Sequence, residues 1–218
     1  MTTDNVYNLI ILDESGSMES IKKPTISGFN EIVQTIKSIE KQYPEQKHFI
    51  SLVSFNGEGI RTLLDKKAVS ELTQIDENTY HPNYSTPLYD AVALSVLKLR
   101  VDLAGIPNTS VLVTIFTDGE ENSSKEFTGQ QVKNIIEEQK ALGWTFTYIG
   151  ANQDVVHEAS KISITNTVLF SATKSGVDKM FIKESRARYN FSEKIRNKVE
   201  KQNGFYDEPE DNQDIKES

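Results

Sequence analysis

The chain has 218 residues, a formal net charge of −8 and no cysteine. That length allows one sizeable hydrophobic core, the missing thiols exclude disulfides, thiolate metal sites and thiol chemistry, and the acidic balance argues against a phosphate-binding surface, so no nucleic-acid partner is expected. The first residues enter an apolar segment directly, with no basic region or cleavage site, and no apolar run is long enough to span a bilayer, so an intracellular, cytoplasmic protein without membrane contact is expected.

Val6 to Leu12 is an apolar run ending in Asp13, which predicts a buried strand. Apolar residues at Ile26, Phe29, Ile32, Val33, Ile36 and Ile39 then recur at helical spacing within Glu19 to Gln42. Phe49 to Phe55 reads as the second strand, and Asn56-Gly-Glu-Gly59 turns the chain into Ile60 to Leu64 as an antiparallel edge hairpin. A short helical piece is expected at Lys67 to Leu72. Leu88 to Leu103 is helical, Ser110 to Thr117 has the continuous apolar character of a strand covered on both faces, and Phe127 to Leu142 is helical again. Trp144 to Ile149, Val155 to Ser160 and Thr167 to Phe170 follow as strand, helix and strand. Val177, Met180, Phe181, Ala187, Phe191 and Ile195 mark a last helix within Gly176 to Val199. Alternating strands and helices predict an α/β chain with a mainly parallel sheet between helical layers. The expected division is one domain over residues 1–200 and an acidic, unstructured tail over 201–218.

Three stretches carry chemistry. Asp13-Glu-Ser15-Gly-Ser17 follows the first strand, Ser85-Thr86-Pro87 precedes a helix, and Thr117-Asp118-Gly119 ends a strand. Open α/β sheets place ligands at such carboxyl ends, and two carboxylates with three hydroxyls are hard donors suited to Mg²⁺ or Mn²⁺. Taken singly, Ser15, Ser17 and Thr86 also fit helix caps.

In order and spacing, Asp13-x-Ser15-x-Ser17, Thr86 and Asp118 together resemble the metal-ion-dependent adhesion site (MIDAS) of a von Willebrand factor A (vWA) domain. The resemblance implies a three-layer α/β/α Rossmann-like fold with six strands, one of them antiparallel at an edge. It implies metal ligation by Asp13, Ser15, Ser17, Thr86 and Asp118, directly or through water, with Mg²⁺ expected and Mn²⁺ or Ca²⁺ as alternatives. It also implies a carboxylate from a partner's Asp or Glu completing the metal shell, and a last helix that can shift on ligand binding. Bacterial intracellular vWA proteins, including those of AAA+ ATPase and tellurite-resistance systems, are the similar group.

The expected function is therefore divalent-cation-dependent protein binding, not catalysis. A Mg²⁺-dependent phosphatase of the haloacid-dehalogenase type is the competing reading, but it needs a second aspartate where Ser15 stands. A scaffold with a dispensable metal is the third. Glu14, Glu120 and Glu121 are expected to be solvated loop acids. His81 is a candidate for the binding face, His48 and His157 show no ligand spacing with it, and Asn152 and Asp154 read as turn and cap residues.

Overall fold

The computed structural model describes residues 3–72, 74–151, 154–200 and 203–207. Its sheet has six strands, β1 (Asp4–Asp13), β2 (Gln46–Asn56), β3 (Gly59–Ala68), β4 (Thr109–Thr117), β5 (Thr145–Gly150) and β6 (Asn166–Leu169), in the order β3-β2-β1-β4-β5-β6. All pairings are parallel except β2 with β3, where Asn56 lies opposite Gly59 as the turn signal required. Among the described residues four helices connect the strands, α1 (Lys22–Gln42), α2 (Leu88–Asp102), α3 (Gly129–Ala141) and α4 (Val155–Lys161), and a fifth, α5 (Lys174–Arg196), follows β6. A 3-10 turn over Gly16–Ile21 precedes α1, and the helical piece expected at Lys67 to Leu72 is a single 3-10 turn over Val69–Glu71, with Lys67 and Ala68 still in β3.

Side-chain alternation along β1 decides the layers. Tyr7, Leu9 and Ile11 point into a core shared with α2, α3 and α4, whereas Ile10 and Leu12 point to the opposite core, which α1 and α5 cover. Both faces are thus buried, which is why the central strands read as continuous apolar runs. Helices α1 and α5 come close at Gly28, where a Cβ would sit 1.7 Å from Phe181 Cε2.

Polar residues inside these runs have a purpose on the α5 side. Arg188, 2% exposed, donates from Nη1 to Asn8 Oδ1 on β1 at 2.9 Å and from Nη2 to Thr114 Oγ1 on β4 at 2.8 Å, and it pairs with Glu184 at 2.7 Å. The packed chain continues beyond residue 200. Phe205 is buried against Phe191, its amide donates to Asn166 Oδ1, and the Tyr206 hydroxyl donates to Glu184 Oε2 at 2.6 Å. Residues 201, 202 and 208–218 of the expected acidic tail lie outside the described residues. Among the described residues, no helix is long and apolar enough to cross a membrane.

Candidate metal centre

Strand order reverses between β1 and β4, so the connections leaving their carboxyl ends diverge and open a crevice there. Asp13 is the last residue of β1 and fully buried. Its Oδ1 accepts the Ser15 amide at 2.7 Å, its Oδ2 accepts the Thr117 hydroxyl at 2.5 Å, and its backbone oxygen accepts the Tyr80 hydroxyl at 2.6 Å. Ser15 Oγ lies 3.2 Å from Ser17 Oγ, which in turn donates to Asp118 Oδ1 at 2.6 Å. Thr86 is fixed from the other side: its amide donates to Asn122 Oδ1 at 2.9 Å and its carbonyl accepts the Asn122 amide at 3.2 Å.

Gly119 shows how tightly these groups converge. A Cβ there would lie 3.3 Å from Thr86 Oγ1 and 3.7 Å from both Asp13 Oδ2 and Ser17 Oγ. Three donors from two separate loops therefore converge on Gly119 in a third, and a side chain at position 119 would crowd them. The capping alternative is not used: Ser15 makes no side-chain cap hydrogen bond, and the first amides of α2 at Tyr89 and Asp90 are taken by Glu121 Oε2 and Ser124 Oγ rather than by Thr86. Two carboxylates and three hydroxyls fit a hard divalent cation, with Ser17 and partly buried Asp118 facing solvent. Among the described residues no group of three His, Cys, Asp or Glu gathers for a metal, so such a site depends on its hydroxyls.

Burial raises the Asp13 carboxyl to about 6, against the lowering effect of the Thr117 and Ser15 hydrogen bonds. Burial also raises Asp118, opposed by the Ser17 hydroxyl. Both groups are held where an anion is poorly solvated, the condition a bound cation relieves.

Glu14 corrects the expectation of a solvated loop acid. It is fully buried, Arg61 Nη2 meets its two carboxylate oxygens at 2.6 and 2.5 Å, and it accepts the His81 amide at 2.5 Å. The cause is the hairpin, which brings Arg61 on β3 over the loop from a distance of 47 residues in sequence. Glu121 is likewise engaged, accepting the amides of Tyr89, Ser123 and Ser124 and the Ser124 hydroxyl; Glu120 is exposed as expected. Asp90 accepts three consecutive amides, Lys125 to Phe127, and so shapes the same loop. Thr117, Tyr80, Asn122 and Asp90 are not among the residues expected from the sequence; of the four only Thr117, adjacent to Asp118, carries a local signal. The His81 ring is exposed, Asp154 precedes α4 without a side-chain cap bond, and Asn152 lies outside the described residues.

The von Willebrand factor type A domain family matches residues 9–188, and the chain belongs to that family. Members often act in protein–protein contacts and often bind divalent metals. No curated protein matches the sequence. Among solved structures, manganese-loaded TRAP protein of Plasmodium vivax is similar with a TM-score of 0.52 and 16% identity, over 84% of this chain and 75% of that one. The vWF domain of the type V pili tip protein Mfa5 from Porphyromonas gingivalis gives 0.54 and 11%, over 85% and 97%. Proximal thread matrix protein 1 from the mussel byssus gives 0.51 and 13%, over 86% of this chain but 47% of its own length, so this chain spans about half of that protein. At these identities the likeness is one of fold.

Proposed function

We propose that this domain is a divalent-cation-dependent protein-binding module. Asp13, Ser15, Ser17, Thr86 and Asp118 would hold the cation, Mg²⁺ in the first place and Mn²⁺ or Ca²⁺ as alternatives, and an Asp or Glu carboxylate of a partner would complete its shell. The observation that carries this reading is the convergence of Asp13, Ser17 and Thr86 around Gly119, with Ser15 and Asp118 hydrogen-bonded into the same cluster. The manganese-loaded TRAP neighbour supports a metal in this fold. A bound cation supplies a positive anchor in a partly desolvated crevice; the chain's own residues fix its donors, keep Asp13 away from bulk water and leave one side open. We infer no catalysis, because Ser15 stands where the phosphatase reading needs an acid.

Calorimetric titration of Mg²⁺ and Mn²⁺ into chelator-treated protein tests this, beside an Asp13→Ala, Asp118→Ala double variant. Saturable binding lost in the folded variant is expected, with a stability gain of about 2.7 kcal/mol at a hundredfold excess over Kd. No heat and no stability gain in the native protein would refute the metal and leave the scaffold reading.

A further inference from the structure

We infer that the partner approaches across the β2–β3 hairpin side of the metal loops, with Tyr84 as its aromatic contact and Glu58 and Glu126 receiving a basic side chain. This rests on the carboxylate-binding reading above and names the kind of partner: a loop with an acidic residue flanked by Lys or Arg.

Tyr84 is 54% exposed and holds a φ of 68°, a left-handed conformation that a tyrosine adopts only when its surroundings enforce it. Here the metal loop does so, since the Tyr84 carbonyl accepts the Gly16 amide at 3.0 Å and its own amide donates to Asn83 Oδ1 at 2.9 Å. Strain of this type concentrates at functional surfaces, and exposed tyrosines supply contact area at low entropic cost. Tyr84 lines the second of two clefts that flank the hairpin. One, of about 400 Å³, lies between the hairpin and the 123–126 loop; the other, of about 530 Å³, lies between the hairpin and residues 81–84. Both are bounded by Asn56, Glu58, Gly59 and Ile60, so the hairpin forms their common wall.

Charge selects the occupant. Glu58 and Glu126 are exposed in these clefts and Glu120 is exposed on the metal loop, against one exposed lysine, Lys125. Arg61 does not offset them because Glu14 engages it. Glu58 also sits beside the Tyr84 hydroxyl, which places the acidic group next to the ring. An acidic surface repels a broadly acidic partner, so the single carboxylate that reaches the metal must arrive on a basic segment.

The test uses the full chain and a displayed library of disulfide-closed heptapeptides with a fixed central Asp, selected in Mg²⁺ against chelator. Magnesium-dependent binders are expected to be enriched in Lys or Arg beside the Asp. Their affinity is expected to fall tenfold or more in Tyr84→Gly and about threefold in Glu58→Gln, with Mg²⁺ affinity unchanged. Glycine adopts the left-handed backbone freely and keeps the Gly16 hydrogen bond, so this variant isolates the ring. Magnesium-dependent peptides without basic enrichment that bind both variants like the native chain would overturn this face and leave the metal reading intact. Absence of any magnesium-dependent peptide, in a protein that binds Mg²⁺, would overturn the carboxylate reading and this one with it.

Discussion

Replacing Asp13 with asparagine is expected to stabilise the metal-free protein at neutral pH while abolishing its response to Mg²⁺. Folding raises this carboxyl from 3.8 to about 6, chiefly by burial. Its contribution to stability is therefore fully present below pH 3.8, where it is protonated in both states, and is lost as pH rises through about 6, where the folded chain must hold a buried anion. A separation of roughly two units corresponds to about 3 kcal/mol. Asparagine keeps the shape of the side chain and avoids that cost. Its oxygen can accept the Ser15 amide, and its amide can donate to the Thr117 hydroxyl, which then turns toward Gly119 O. Urea unfolding in chelator from pH 4 to 8 measures the effect, taking the variant-minus-native difference at each pH so that unrelated carboxyls cancel. The difference should grow from near zero at the acid end to about 3 kcal/mol at neutrality. A difference that stays flat across this window would refute the burial argument.

Three further outcomes follow from the packing. Gly28→Ala places a methyl 1.7 Å from the Phe181 ring and is expected to lower the urea midpoint by about 1–3 kcal/mol of stability; helix propensity alone would raise it by about 1 kcal/mol, so the sign decides. Arg188→Met strands Glu184 in the core and should cost about 3–5 kcal/mol, whereas Arg188→Met combined with Glu184→Leu should cost less than the single change. Phe205→Ala should cost about 3–5 kcal/mol in thermal or urea unfolding, because the ring packs with Val6, Leu112 and Phe191. A tail detached from the domain would give no change.

The strands, the helical layers and the hairpin could be read from the sequence because each rests on local periodicity or turn chemistry. The five candidate ligands were legible for a related reason: strand ends and turn residues announce themselves, even though their convergence is a product of sheet order. What was hidden depends on long-range pairing. Glu14 looks like any loop acid until Arg61 arrives from the hairpin. Arg188 carries no local sign of burial; the signal was indirect, in Asn8 and Thr114, polar residues inside otherwise apolar strands that needed a partner. Phe205 carries no local sign of burial either, because the composition around it is polar.

The seat of Arg188 bears on how α5 can move. Sliding the helix by one turn shifts every atom about 5.4 Å along its axis, far outside hydrogen-bond reach of Asn8 and Thr114. Glu184, one turn away, travels with the guanidinium. Arg188 thus fixes the register of α5 against β1 and β4. Asn8 lies on the strand that ends in Asp13, so this contact ties the register of α5 to the element that carries the first candidate ligand. Any displacement of α5 along its axis therefore has to give up these bonds to the sheet.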